Sequence, residues 1–266
     1  MDNKEYIRLV PGAKAAVLFI HGIVGSPNHF DSYVAAVPDG ISVHNMLLEG
    51  HGKGVKDFSK ASMSKWEAQV AAAVDELAAG HERIYIMAHS MGTLLAIHEA
   101  IRQKKICKLF LLSVPLKLFL KPALLSNIWK IYTGNVKPND PVATALVNCS
   151  GITPVKNPFA YIGWIPRFIE LFGKIRNTRK CLKSLSAPTM VYQSARDELV
   201  AINTVKLLKA NPSFSVKLLP FSRHFYYTPE EQAQLLDAFI HWLGADSTHS
   251  KSRNYQEDNH EESNPV

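Results

Sequence analysis

The chain has 266 residues, 47% hydrophobic and 20% charged, a balance that buries a substantial core and argues against a disordered or low-complexity protein. Its longest apolar runs are broken by Lys117, Lys121 and Pro122, short of the roughly 18–20 residues that span a bilayer. Met1 to Glu5 opens no apolar stretch, so no secretory signal is expected.

Taken in order, Ile7 to Val10 reads as a short strand turned by Pro11-Gly12. Ala15 to Ile20 is continuously apolar and ends at His21-Gly22, the mark of a strand buried on both faces. A loop through Ile23-Val24-Gly25-Ser26 leads to a short helix over Pro27 to Val37, then a strand over Ile41 to Leu48 runs into Glu49-Gly50-His51-Gly52. Ser64-Lys65-Trp66-Glu67 has the form of a capping box, and Trp66, Val70, Val74 and Leu77 make the amphipathic helix behind it.

Arg83 to Met87 is a β-branched and aromatic strand, and Leu94, Ile97, His98 and Ile101 recur at helical spacing after it. Between them lies Ala88-His89-Ser90-Met91-Gly92. A serine on so tight a strand-to-helix turn is pushed out at the top of a sheet and needs small neighbours. Ala88 departs from the glycine of the G-x-S-x-G pattern. Lys108 to Ser113 is the next strand.

Strands alternating with helices imply βαβ units and a mostly parallel central sheet flanked by helices, an α/β fold. Reactive groups then gather beyond the C-terminal strand ends, where His21, Glu49 and Ser90 fall. The alternation fails from Val114 to Ala187, where apolar side chains from Phe119 to Tyr132 and from Trp164 to Phe172 sit at helical spacing. The expected division is core over 1–113, an inserted helical cap over 114–187, core again over 188–243, and a disordered polar tail over 244–266. In the second core part, Pro188 to Gln193 and Ser215 to Leu219 read as strands, Asn203 to Ala210 as a helix. Thr228-Pro229-Glu230-Glu231 opens a last helix.

A serine hydroxyl needs a base to take its proton, and the base needs an acid to orient it. Asp197 follows one late strand and His224 follows the last, which gives the order Ser90, Asp197, His224. Glu198 is the neighbouring alternative acid. His89 and His51 are expected to be structural. The developing oxyanion needs two backbone amides: Met91 after the nucleophile, and Ile23 in the loop after His21-Gly22.

His21-Gly22, Gly50-His51-Gly52, Ala88-His89-Ser90-Met91-Gly92, Asp197-Glu198-Leu199-Val200 and Ser222-Arg223-His224 together resemble the α/β-hydrolase superfamily. Within it the chain is similar to small bacterial carboxylesterases and monoacylglycerol lipase-like serine hydrolases, over roughly residues 5 to 243. The resemblance implies a cytoplasmic esterase working through an acyl-enzyme, with Ser90 as nucleophile, His224 as base and Asp197 as its orienter. Two departures stand, Ala88 in the serine turn and Glu49 in its loop.

The expected substrate is a small carboxylic ester with a short to medium acyl chain, or a monoacylglycerol, under an apolar cap. Amide, thioester or carbon–carbon hydrolysis with the same triad is the alternative, and a non-catalytic binding module the more distant one. No cofactor is expected, and no metal: Cys107, Cys149 and Cys181 lack paired spacing, and three cysteines suit a reducing compartment. The net charge is +7, yet residues 244–266 carry −3, which leaves +10 on the rest. No nucleic-acid-binding motif accompanies that charge. The plain reading of the charge is a solvated surface with a mild preference for anionic neighbours; the rival reading is a weak contact with an anionic membrane surface through Leu116 to Leu125, with Lys117 and Lys121.

Overall fold

The computed structural model describes residues 3–119, 130, 135–137 and 139–244. Seven strands form the main sheet: β1 (Tyr6–Arg8), β2 (Ala15–Ile20), β3 (Ser42–Asn45), β5 (Arg83–His89), β6 (Ile106–Leu112), β8 (Thr189–Ser194) and β9 (Phe214–Leu219). Two further short strands, β4 (Lys53–Gly54) and β7 (Ile152–Thr153), pair with each other in parallel. The main sheet runs in the order β1-β3-β2-β5-β6-β8-β9. Only β1 is antiparallel to its neighbour.

Alternation along the strands explains why both sheet faces are covered. Ala16, Leu18 and Ile20 of β2 point to one apolar layer with Ile84, Ile86, Leu109 and Leu111. That layer packs on α3 (Met63–Gly80), α4 (Met91–Arg102) and α6 (Ile165–Cys181). Val17 and Phe19 point the other way, with Tyr85, Met87 and Phe110, against α1 (Asp31–Ala35) and α8 (Pro229–Gly244). Period-two burial on both faces is what a continuous apolar strand encodes.

From β2 the chain steps outward to β3, then returns through α3 to β5 on β2's other side. The direction of winding therefore reverses between β2 and β5. A crevice opens at the carboxyl ends of the two strands at such a switch point. The loops that leave there are His21–Ser26 and the turn at Ser90.

Several boundaries differ from the sequence expectation. Ser62, not Ser64, caps α3: its side chain accepts the Lys65 amide at 3.2 Å, while the Ser64 hydroxyl bonds only to Ser62. Two serines two residues apart are equivalent in a pattern, and only the extended backbone at Ser62 decides between them. The stretch 27–37 divides into a 3-10 turn (Pro27–Phe30) and α1. The strand expected over 41–48 pairs only over β3, because Leu47 to Gly50 bends away to meet α3. Two short helices were not anticipated, α2 (Val55–Lys60) and α5 (Pro141–Cys149); α7 (Thr204–Leu208) is shorter than expected.

Between β6 and β8 the described residues hold α5, the short β7, a 3-10 segment (Pro158–Trp164) and α6. The first helical pattern expected there, beyond Phe119, lies outside the described residues, as does the tail beyond Gly244. No described helix is long and apolar enough to cross a membrane.

Candidate active site

Ser90 stands between β5 and α4 with φ 52° and ψ −124°, a conformation a side-chain-bearing residue adopts only under constraint. The constraint is visible. The Ser90 amide donates to the Leu112 carbonyl at 2.9 Å, and the Ser90 carbonyl accepts from the Thr93 amide and hydroxyl. Neighbouring backbone crowds the turn. A Cβ on Gly92 would stand 2.2 Å from the Ile20 carbonyl oxygen, and one on Gly22 would stand 2.9 Å from the Ser90 Cβ. Ala88 lies within β5, opposite Ile20 and Leu111 and fully buried. The close approaches fall on Gly22 and Gly92.

The Ser90 hydroxyl lies 3.0 Å from His224 Nε2, and His224 Nδ1 lies 2.8 Å from Asp197 Oδ2. All three are buried, Ser90 least so at 7% exposure against 1% and 2% for the others. Asp197 follows β8, and its Oδ1 accepts the amides of Leu199 at 2.7 Å and Val200 at 2.8 Å. Burial alone would raise its pKa. The charge and hydrogen bond of His224, with those two amides, outweigh it and hold the carboxyl below its ordinary range. An ionised acid is thus kept against one ring nitrogen of His224 and a hydroxyl against the other.

His224 lies on the loop between β9 and α8, which is tied down from several sides. The Arg196 amide donates to the Ser222 carbonyl, and Arg223 donates to Glu198 Oε1 at 2.6 Å. Glu198 Oε2 accepts the His224 amide at 3.2 Å. Glu231 of α8 accepts from the Phe221 amide and from the Ser222 hydroxyl. Sequence reasoning treated Glu231 as part of a helix start and missed this reach across ten residues.

Four further histidines stand around the loops, three of them buried and His29 half-buried, and desolvation is the main reason each is held neutral. His21 is lowered to about 4 and His29 to about 3, while His51 and His89 fall well below 6.5. Neutrality fixes their roles. His21 Nε2 accepts the Leu48 amide, so Nδ1 carries the proton and donates to the Gly22 carbonyl. His89 Nε2 donates to the His224 carbonyl at 2.9 Å, and the His29 ring lies over it with centroids 4.1 Å apart. His51 Nδ1 donates to the Leu48 carbonyl. Glu49, unexplained in sequence, pairs with Lys65 at 2.7 Å, and its carbonyl accepts the Trp66 indole.

Met91 is the first residue of α4, and the opening amides of a helix have no partner within it. Ile23 is buried in the loop against the serine turn, just ahead of Val24 at φ 52°. Among the described residues no group of three or more His, Cys, Asp or Glu is placed to hold a metal.

A sequence profile of the alpha/beta hydrolase family matches residues 17–254. The chain belongs to that family. Among solved structures this hydrolase is similar to one of the metagenome-derived lipolytic enzymes LipS and LipT, at 18% identity and TM-score 0.67, covering 90% of this chain and 97% of that one. The monoacylglycerol lipase of Paleococcus ferrophilus matches at 16% identity and TM-score 0.66, over 91% and 98% of the two chains. A carboxylesterase structure from Nitrososphaera gargenis matches at 13% identity and TM-score 0.63, over 91% and 96%. At such identities the likeness is one of fold. The comparison with curated proteins found no match.

Proposed function

We propose that this alpha/beta hydrolase cleaves carboxylic esters through an acyl-enzyme on Ser90. The observation that carries the reading is the unbroken line from Ser90 Oγ to His224 Nε2 and from His224 Nδ1 to Asp197. His224 takes the hydroxyl proton as Ser90 Oγ bonds to the ester carbonyl carbon. The oxyanion of the tetrahedral intermediate takes hydrogen bonds from the amides of Met91 and Ile23, the first aided by the positive end of α4. Collapse breaks the carbon–alkoxy bond, and His224 returns its proton to the leaving alcohol. Water then repeats the sequence on the acyl-enzyme, releasing the acid and restoring Ser90.

Residues 114–187 form the cap in this reading, and the substrate is a short- to medium-chain ester or monoacylglycerol. The ester preference is supported by the lipases and esterases among the fold's relatives. A cytoplasmic setting agrees with three cysteines, none of them in a disulfide.

A weak membrane contact belongs to the same proposal. Within the stretch 116–125, Leu116 is fully buried and Phe119 is exposed, while residues 120–125 lie outside the described ones. Phe159, Ile162, Ile165, Ile169 and Phe172 are exposed together on the 3-10 segment and α6. Salt-sensitive co-sedimentation with anionic vesicles is the expected behaviour.

The central test is a fluorophosphonate probe on wild type and Ser90→Ala, alongside turnover of p-nitrophenyl esters of increasing chain length. Labelling should vanish in the variant. Labelling that survives it, or turnover of amides but not esters, overturns the reading.

A further inference from the structure

Besides the packing of α6 on the core, the inserted segment makes backbone-to-backbone contacts with the loops around the site. At its start, the Phe119 amide donates to the Leu199 carbonyl at 2.7 Å and the Ala201 amide to the Lys117 carbonyl at 2.8 Å, beside the acid loop. Further on, Ser150 bridges Gly25 in antiparallel fashion, and the Gly151 amide donates to the Val24 carbonyl at 2.9 Å. The Gly151 carbonyl accepts from the Gly52 amide at 2.6 Å, and Ile152-Thr153 continues as β7 against β4. One residue therefore joins the inserted segment to the loops after both β2 and β3.

The approach at Gly151 leaves no space. A Cβ there would lie 2.0 Å from the Gly25 carbonyl oxygen and 3.0 Å from its carbon, both backbone atoms that cannot swing aside. What it holds is unusual in its own right. Val24 is β-branched and sits at φ 52°, a genuine outlier for such a residue, at a cost of about 1–3 kcal/mol that surrounding structure must offset. The peptide that follows Ile23 turns at this residue. On its other side the same loop is pressed on the nucleophile turn through Gly22.

We propose that Gly151 is a positioning residue for the oxyanion site. By holding the Val24 carbonyl it keeps Val24 in the left-handed region, and this aims the Ile23 amide at the point where the oxyanion develops. The inference rests on Ser90 being the nucleophile with Ile23 as one of its two donors. It adds that a residue of the inserted segment, remote from the triad in sequence, governs the acylation rate. Ground-state binding of the acyl chain does not depend on it.

Gly151→Ala and Gly173→Ala are compared with wild type on p-nitrophenyl butyrate and in the rate of fluorophosphonate labelling. Gly173 lies on α6 with open space around it, so its variant should match wild type in both. Gly151→Ala should lower kcat and the labelling rate by at least about tenfold, toward the roughly hundred- to thousandfold of a lost oxyanion donor, with KM within about threefold. Where the added methyl prevents folding, replacing residue 151 by glycolic acid exchanges the N–H for an ester oxygen without adding a side chain, and the same split between kcat and KM is expected. Unchanged kcat and labelling in a folded variant, or KM rising while kcat stays level, overturns the proposal. Wild type that labels at Ser90 while the Gly151 variants label equally fast sinks this inference alone; wild type that does not label at Ser90 sinks the nucleophile assignment and this inference with it.

Discussion

Glu198 and His224 are joined through the main chain, not through the imidazole: Glu198 Oε2 accepts the His224 amide at 3.2 Å, while its Oε1 accepts from Arg223. The neighbouring Asp197 holds the ring at 2.8 Å. Two adjacent carboxylates thus divide the work, one setting the loop and the other setting the ring. Asp197→Asn should therefore lower kcat by about 10⁴ with the fold intact, because the amide favours the wrong imidazole tautomer. Glu198→Gln keeps an acceptor for the amide and loses only the charge facing Arg223, so kcat should fall less than about tenfold. Steady-state kinetics on one ester decides between them. Equal losses would mean that both carboxylates act on the ring.

Acid should unfold the protein early. His21 and His29 titrate near 6.5 when unfolded but near 4 and 3 when folded, and His51 and His89 are lowered too. Between those limits the unfolded chain binds more protons than the native one, so stability is complete above about pH 6.5 and is lost as pH falls. Asp197, lowered from 3.8, acts in the same direction at still lower pH. The melting temperature should decline steadily from pH 7 to pH 4.5. A flat profile would show that these rings are protonated in the native fold.

Gly92→Ala should be severe, since its Cβ would meet the Ile20 carbonyl oxygen at 2.2 Å and the His21 carbonyl oxygen at 2.7 Å. Separating α4 from β2 to relieve that contact should cost about 3 kcal/mol or more, on the scale of overpacked cores. In a domain of this size the melting temperature should drop by about 6–12 °C. A variant that melts within about 2 °C of wild type would show that the helix shifts freely.

Ala88→Gly restores the residue expected of the serine-turn pattern, yet it should not raise activity. Ala88 is an interior strand residue, and glycine there adds unfolded-chain entropy and removes a packed methyl, about 1 kcal/mol together. A melting temperature lower by about 2–4 °C with unchanged kcat is expected. A faster enzyme would mean that the alanine strains the turn.

The strand ends, the serine turn and the last helix were legible because each has a local cause: apolar periodicity, a strand-to-helix break, a proline at a helix start. Asp197 and His224 could be found by their places after late strands. What escaped the sequence depends on partners distant along the chain. The pattern lays a spatial demand on Ala88, while the backbone at the end of β2 imposes it on Gly92 and the serine turn imposes it on Gly22. Glu49 looked misplaced until Lys65 stood beside it. Glu231 sits where a capping acid belongs, but its carboxylate serves the His224 loop. Gly151 carries no local signal, because its need for a bare backbone comes from Gly25.

The sheet order also has a meaning in time. The Ser90 turn is closed within the first 112 residues, whereas Asp197 and His224 follow β8 and β9, the two strands at the far edge. During synthesis the amino-terminal strands can pair while the chain carrying the proposed base and acid has yet to be made. A growing or truncated chain that ends before residue 224 should hold its hydroxyl in place yet remain inert toward esters. On the proposed mechanism, hydrolytic activity should appear only when the far edge has docked, and its onset should mark completion of the native sheet.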